Sequence, residues 1–238
     1  MNPTVARLTV RGLLGRRRGV LLLVVPALLL IISVIAANAG GDRHDTTVKI
    51  LGQLSLGTLV PILGLVVGTG VIATEIDDGS IVYLLAKPLP RWQIITTKLA
   101  VAIGTTWVLA AVPTFVAGLI LYGTKDGLAV AFTVGTLLAG AAYSALFLLL
   151  GVVTRHAVVA GLAYALVWES LVGNFVQGAR TLSVQQWGLS VAERIAAPGA
   201  IPADVALGVA LPMLVIVTVA ATVLASVRLA GLTLAAEE

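Results

Sequence analysis

The side chains able to do chemistry are few in this sequence, and most gather between Glu75 and Lys98, in EIDDGSIVYLLAKPLPRWQIITTK. This stretch holds three acids (Glu75, Asp77, Asp78), three bases (Lys87, Arg91, Lys98) and two prolines (Pro88, Pro90). Long apolar runs flank it on both sides. A polar stretch this dense between two membrane spans is expected in water, where it can meet another protein. Asp77 or Asp78 can cap a short helix over 79–86 by accepting its free backbone N–H groups. Ile81, Leu84 and Leu85 then form one apolar face of that helix. Pro88 stops it, because the residue before a proline avoids helical geometry. Pro90 can open the next helix, where its missing N–H costs nothing. Arg91 and Lys98 lie in that next helix, two turns apart. The pattern predicts a short helix braced by prolines, a shape suited to transmitting force. The plainer alternative is a solvated loop.

Outside this stretch the most informative residue is Glu169, which the spacing places within a membrane span. A carboxylate near a helix centre in lipid costs at least about 2.5 kcal/mol, so such a residue marks a pathway or a partner. It could be protonated, bind a cationic substrate or face an aqueous vestibule. It could equally lie near the outer interface, bonded to Trp168 or Asn174. These three residues form a candidate substrate path. His44 with Asp42 and Asp45 is expected to be part of a solvated loop rather than a metal site, and His156 beside Arg155 reads as a turn. A membrane-embedded hydrolase would need paired carboxylates, an H-E-x-x-H run or a serine with a histidine base. The sequence offers none of these, and its lack of cysteine excludes disulfides, thiolate nucleophiles and thiolate metal sites. No catalytic or metal-ligating residue is expected.

The elements that must position these residues follow from composition. The 238 residues are 59% hydrophobic and 11% charged, with mean hydropathy +1.07; soluble domains carry about 25% charged residues. An all-α integral membrane protein is expected, forming a single domain over 1–238. Six spans fit the length, at about 20–39, 50–74, 99–122, 128–153, 157–175 and 205–227. No internal repeat is visible. The net charge of +4 is explained by bases flanking spans, so no nucleic-acid partner is expected.

Before the first span, Arg7, Arg11 and Arg18 share one helical face and Val5, Leu8 and Leu13 point largely away from it. This predicts a basic amphipathic helix on the membrane surface, with a disordered basic leader as the alternative. Arg16, Arg17 and Arg18 directly precede the first span and place the N-terminus in the cytoplasm. The apolar run over 20–39 is longer than a signal-peptide core, so a retained span is expected. Ten bases (Arg7, Arg11, Arg16, Arg17, Arg18, Lys87, Arg91, Lys98, Arg155, Arg228) then fall on the cytoplasmic side, against five outside (Arg43, Lys49, Lys125, Arg180, Arg194). Both termini would be cytoplasmic. In the second span, Gly64 and Gly68 share a face that admits another helix closely, either within the chain or from a second subunit. Residues 181–197 have the amphipathic pattern of a re-entrant or interfacial helix between spans five and six.

The run E-x-x-x-G-S-x-x-x-L-L-A-x-P-x-x-R from Glu75 to Arg91 resembles the loop of type-2 ABC exporter permeases. Glu75, Gly79, Ser80, Leu84, Leu85, Pro88, Arg91 and Lys98 match the family pattern position by position. The overall plan is also similar: a basic surface helix, six spans and a partly apolar segment before the last. The resemblance implies that the loop is a coupling helix docking on an ATPase, with Glu75, Asp77, Asp78, Gly79, Leu84, Leu85, Pro88, Pro90 and Arg91 as contact residues. It implies a permease dimer with two copies of an ABC-type ATPase in the cytoplasmic (inner) membrane of a prokaryote. ATP and Mg would be bound by the partner ATPase and no cofactor by this chain. That division of labour agrees with the sequence, which has no G-x-x-x-x-G-K run followed by Ser or Thr to cradle a nucleotide. Two other functions remain open: an ion-coupled secondary carrier using Glu169, and a non-transporting membrane anchor for an ATPase.

Overall fold

The computed structural model describes residues 9, 16–72, 90–165, 167–168 and 179–234. They form helices with turns and irregular segments between them, and no strand among the described residues. Helix α1 is Arg16–Asn38. Helix α2 is Arg43–Gly70, α3 covers 91–122, and α4 is Leu128–Val153. Helix α5 is Ala157–Ala163, α6 is Val184–Ile195 and α7 is Leu207–Leu234. Four of the described stretches are long and apolar enough to cross a membrane: Arg43–Gly70, Trp92–Tyr122, Lys125–Val153 and Leu207–Gly231. Leu22–Asn38 is a shorter apolar stretch.

The boundaries depart from the hydropathy reading in informative places. Helix α2 begins seven residues before the expected 50, because Asp42 caps it by accepting the His44 N–H at 2.9 Å. The polar segment Arg43–Lys49 is therefore helical rather than a loop. Its side chains are used along the helix: Lys49 pairs with Asp45 at 2.6 Å in the exposed i, i+4 relation, and His44 meets Tyr122 edge-on. Helix α3 begins at Arg91 with Pro90 as its N-cap residue, so the helix that Pro90 was expected to open and the span expected from 99 are one continuous helix. The expected fifth span at 157–175 is represented by α5 and by residues 164, 165, 167 and 168, which continue it with wider winding. Its remainder from 169 lies outside the described residues.

Both α2 and α3 contain π-wound segments, Ile50–Leu59 and Trp107–Ala111. Each stands just before a proline, Pro61 and Pro113. A proline lacks the N–H that would close the ladder, and its ring meets the carbonyl four residues earlier, here Gly57 or Leu109. Widening the preceding turns is a known way to accommodate that conflict. Between α3 and α4 the chain reverses within a few residues. Gly123, Asp126 and Gly127 adopt positive φ of 72°, 52° and 67°, which glycine and aspartate tolerate best.

Helix α4 is the axis of the bundle, packing against α2, α3, α5, α6 and α7. Its Phe132, Tyr143 and Phe147 are fully buried. Close approach rests on small residues, as expected where lipid gives little hydrophobic drive between helices. A Cβ on Gly64 would stand 2.8 Å from Tyr143 Cβ, and one on Gly68 3.0 Å from Phe147 Cβ and from the Ser144 carbonyl. The glycine face of α2 is thus spent on α4 inside the chain, which decides between the two readings of Gly64 and Gly68. Hydroxyls within the apolar helices donate to the carbonyl four residues earlier, as Ser33, Thr69, Thr133 and Thr218 do at 2.6–2.8 Å.

Candidate functional site

Of the proposed coupling residues, Glu75, Asp77, Asp78, Gly79, Leu84, Leu85 and Pro88 lie outside the described residues. The two roots of that stretch are described. On one side α2 ends with Val71 N–H donating to the Val67 carbonyl at 3.1 Å and Ile72 N–H to the Thr69 carbonyl at 3.3 Å. On the other, Pro90 has extended backbone (φ −64°, ψ 134°) and its carbonyl accepts from Gln93 N–H at 2.9 Å. Arg91 is the first helical residue. The last carbonyls of a helix have no partner within it and carry the negative end of its dipole. Lys98 Nζ supplies one such partner, donating to the Val71 carbonyl at 2.5 Å.

Lys98 is 0% exposed. The sequence placed it in the helix opened by Pro90, which the structure shows, but as a base of a stretch expected in water; the structure places it inside the bundle. The correction has a simple cause. Hydropathy scores a lysine as polar wherever it stands, whereas its apolar stem can be buried if the ammonium finds a carbonyl. Ile94, Ile95, Leu99 and Ala102 on the same helix are buried too, with Val71 and Ile72 from α2. Trp92 is exposed at this end, at 58%. Lys98 aside, nothing in the sequence signals this junction, because the partner atom is a backbone carbonyl 27 residues away.

Midway along the helices lies a buried hydroxyl cluster that sequence reasoning missed. Ser55 Oγ, in the π segment of α2, is 2.5 Å from Thr114 Oγ1 of α3 and 3.5 Å from Thr136 Oγ1 of α4. A second link joins Ser144 Oγ of α4 to Thr106 Oγ1 of α3 at 3.1 Å. Thr114 also donates to the Ala110 carbonyl at 2.7 Å, so in the Ser55 pair the serine is the donor. Thr114→Val removes the acceptor and leaves the Ser55 hydroxyl to compete for the weaker Thr136 contact. We expect a loss of about 1 kcal/mol in an SDS unfolding titration. An unchanged midpoint would show that the cluster adds nothing to the packing.

Helix α6 is amphipathic, as its sequence suggested, but its apolar face is turned into the bundle. Ser183 caps it, accepting from Gln186 N–H at 3.2 Å. Val184, Trp187, Val191 and Ala192 are buried. Gln185 Nε2 donates to the Gly52 carbonyl at 3.1 Å, satisfying a carbonyl in the π segment of α2. A Cβ on Gly57 would come within 2.8 Å of that amide nitrogen, so the glycine leaves room for it. Gly188 lies beside Gly135 and Ala139 of α4, and the Ile195 carbonyl beside Gly127. The Ala197 N–H donates to the Asp126 carbonyl at 2.9 Å. Helix α6 therefore runs antiparallel to the first three turns of α4, over about 18 Å at 1.5 Å per residue. At its start, Trp168 Nε1 donates to the Leu182 carbonyl at 3.4 Å, which brings the end of the α5 segment to the 3-10 turn Ala179–Leu182.

Of the candidate substrate-path residues, Trp168 alone is described; Glu169 and Asn174 lie outside the described residues. So do Arg7 and Arg11 of the proposed surface helix. Arg16, Arg17 and Arg18 form the start of α1 itself. A shallow groove of about 230 Å³ between α4 and α7 is lined by Leu138, Ala141, Leu211, Leu214, Val215, Thr218 and Val219, a surface suited to acyl chains. Among the described residues no group of three His, Cys, Asp or Glu side chains could hold a metal.

Long apolar helices, small-residue contacts and hydroxyls bonded within the bundle define a multi-pass membrane protein. The chain belongs to the ABC-2 family of transporter proteins, whose family description, ABC-2 family transporter protein, it matches over residues 19–186. It is accordingly the membrane permease component of an ABC transporter, a transport component that works with an ABC-type ATPase. No curated protein matches the sequence.

Proposed function

We propose that this chain is the permease of an ATP-driven exporter, acting by alternating access as a homodimer with two ATPase subunits. ATP and Mg are bound by those partners, and the run from Glu75 to Arg91 is the coupling element that docks on them. The whole chain, 1–238, works as one permease domain in the cytoplasmic membrane of a prokaryote, with both termini in the cytoplasm. Arg7, Arg11, Arg16, Arg17 and Arg18 hold the N-terminal segment at the lipid surface. Trp168, Glu169 and Asn174 flank the substrate path.

The observation that carries this reading is the build of α2 and α3, the two helices joined by the coupling stretch. Both are long enough to span a bilayer, both pack on α4, and they are bonded to each other midway through Ser55 and Thr114. A displacement applied at their shared end is therefore delivered along the length of the bundle.

Purification and reconstitution test the reading. The chain, purified from its native membrane, is expected to bring an ATPase with it, and the pair in liposomes to transport only with ATP. A chain that purifies alone and drives flux in liposomes on an ion gradient would instead be a secondary carrier. One that binds the ATPase but supports no ATP-dependent flux would be an anchor.

A further inference from the structure

We propose that Lys98 is a positioning residue that makes the two roots of the coupling stretch move as one body. The inference rests on the coupling role assigned above to residues 75–91 and names the residue that passes their motion into the spans. Its Nζ holds the Val71 carbonyl at 2.5 Å, and the side chain is fully buried. The contact joins the last carbonyls of α2, where the helix dipole favours a cation, to a point two turns inside α3. That point lies beyond the first turn of α3, which is the part of a helix that frays most readily. Force arriving at either root is thus shared between two helices before it reaches the hydroxyl cluster at mid-bundle. An ammonium on a four-carbon stem suits this role, since it reaches across the gap between helices and presents three donors. Burying it is expensive unless the charge is met, so packing alone gives no reason for a lysine here. The burial of Ile72, Ile94 and Ile95 at this end does not depend on the charge.

The test compares Lys98→Met, which keeps an unbranched stem without donors, with Lys98→Arg, which keeps a cationic donor. Each is co-purified with its ATPase, placed in nanodiscs, and assayed for ATP turnover per assembled complex. Lys98→Met is expected to assemble and to lose at least about fivefold in kcat with KM for ATP unchanged, while Lys98→Arg stays within about twofold of the wild type. Three results would overturn the proposal. Lys98→Met could keep wild-type turnover, it could fail to assemble, which would make Lys98 a folding residue, or Lys98→Arg could be as impaired as Lys98→Met. A parallel Asp77→Lys, Asp78→Lys double variant separates the two ideas. Normal turnover in that variant removes the coupling role of residues 75–91 itself, whatever Lys98→Met does.

Discussion

Gly135→Leu is expected to force α6 out of its place between α2, α4 and α7. A Cβ on Gly135 would stand 2.5 Å from the Gly188 carbonyl oxygen, 3.3 Å from its carbonyl carbon and 3.5 Å from Ala192 Cβ. The nearest obstacle is backbone, so no rotamer change relieves the clash, and a leucine adds a branched stem beyond the Cβ. Overpacking of this kind costs about 1–3 kcal/mol even where neighbours can shift. Here the only relief is to move α6 as a body. That movement breaks the Gln185–Gly52 hydrogen bond and uncovers Leu56 and Ala139, both fully buried against this helix. The total loss should reach about 3 kcal/mol or more. The chain has no cysteine, so Ala192→Cys gives a unique thiol on the buried face of α6. That thiol should be protected from maleimide in the otherwise wild-type chain and become reactive when Gly135→Leu is added. Protection in both backgrounds would mean that α6 is not seated on α4 as described.

The second large effect is expected from reversing charge in the coupling stretch. Asp77→Lys with Asp78→Lys changes the charge at these two positions by four units, from −2 to +2. If the acids cap the helix over 79–86 and face the ATPase, both interactions invert. A cation at a helix N-terminus opposes the dipole, and like charges across an interface are strongly disfavoured. ATP-dependent export should fall by about tenfold or more, with the chain still folded and present in the membrane at wild-type amounts. A double variant that exports normally with its ATPase bound would remove the coupling assignment.

Parts of this architecture were legible in the sequence for reasons that can be named. The α3–α4 reversal is announced by Gly123 and by Lys125-Asp126-Gly127, and α4 occupies the expected 128–153 because an unbroken apolar run with no proline leaves no other choice. The start of α2 was misplaced, and the helix opened by Pro90 was legible but not its continuity with the span from 99, since hydropathy locates the lipid-compatible centre of a helix and not its capped, polar ends. Helix α6 could be recognised as amphipathic, yet its burial depends on a notch formed by Gly135 and Gly188, 53 residues apart in sequence. The Gly64 and Gly68 face was visible, but which helix fills it was not. The helix that holds Lys98 was legible but its burial was not, because its environment is set by a helix end whose partner only the fold brings near.

Docking of the stretch between α2 and α3 on the ATPase is tested most directly by cross-linking. A Ser80→Cys variant of this cysteine-free chain, carrying a thiol-linked benzophenone, is irradiated in native membranes. The control is Thr124→Cys in the exposed turn at the opposite end of the bundle. The expected result is a permease–ATPase adduct from position 80 and none from position 124. An adduct from position 124, or none from position 80 while the ATPase still co-purifies, would contradict it.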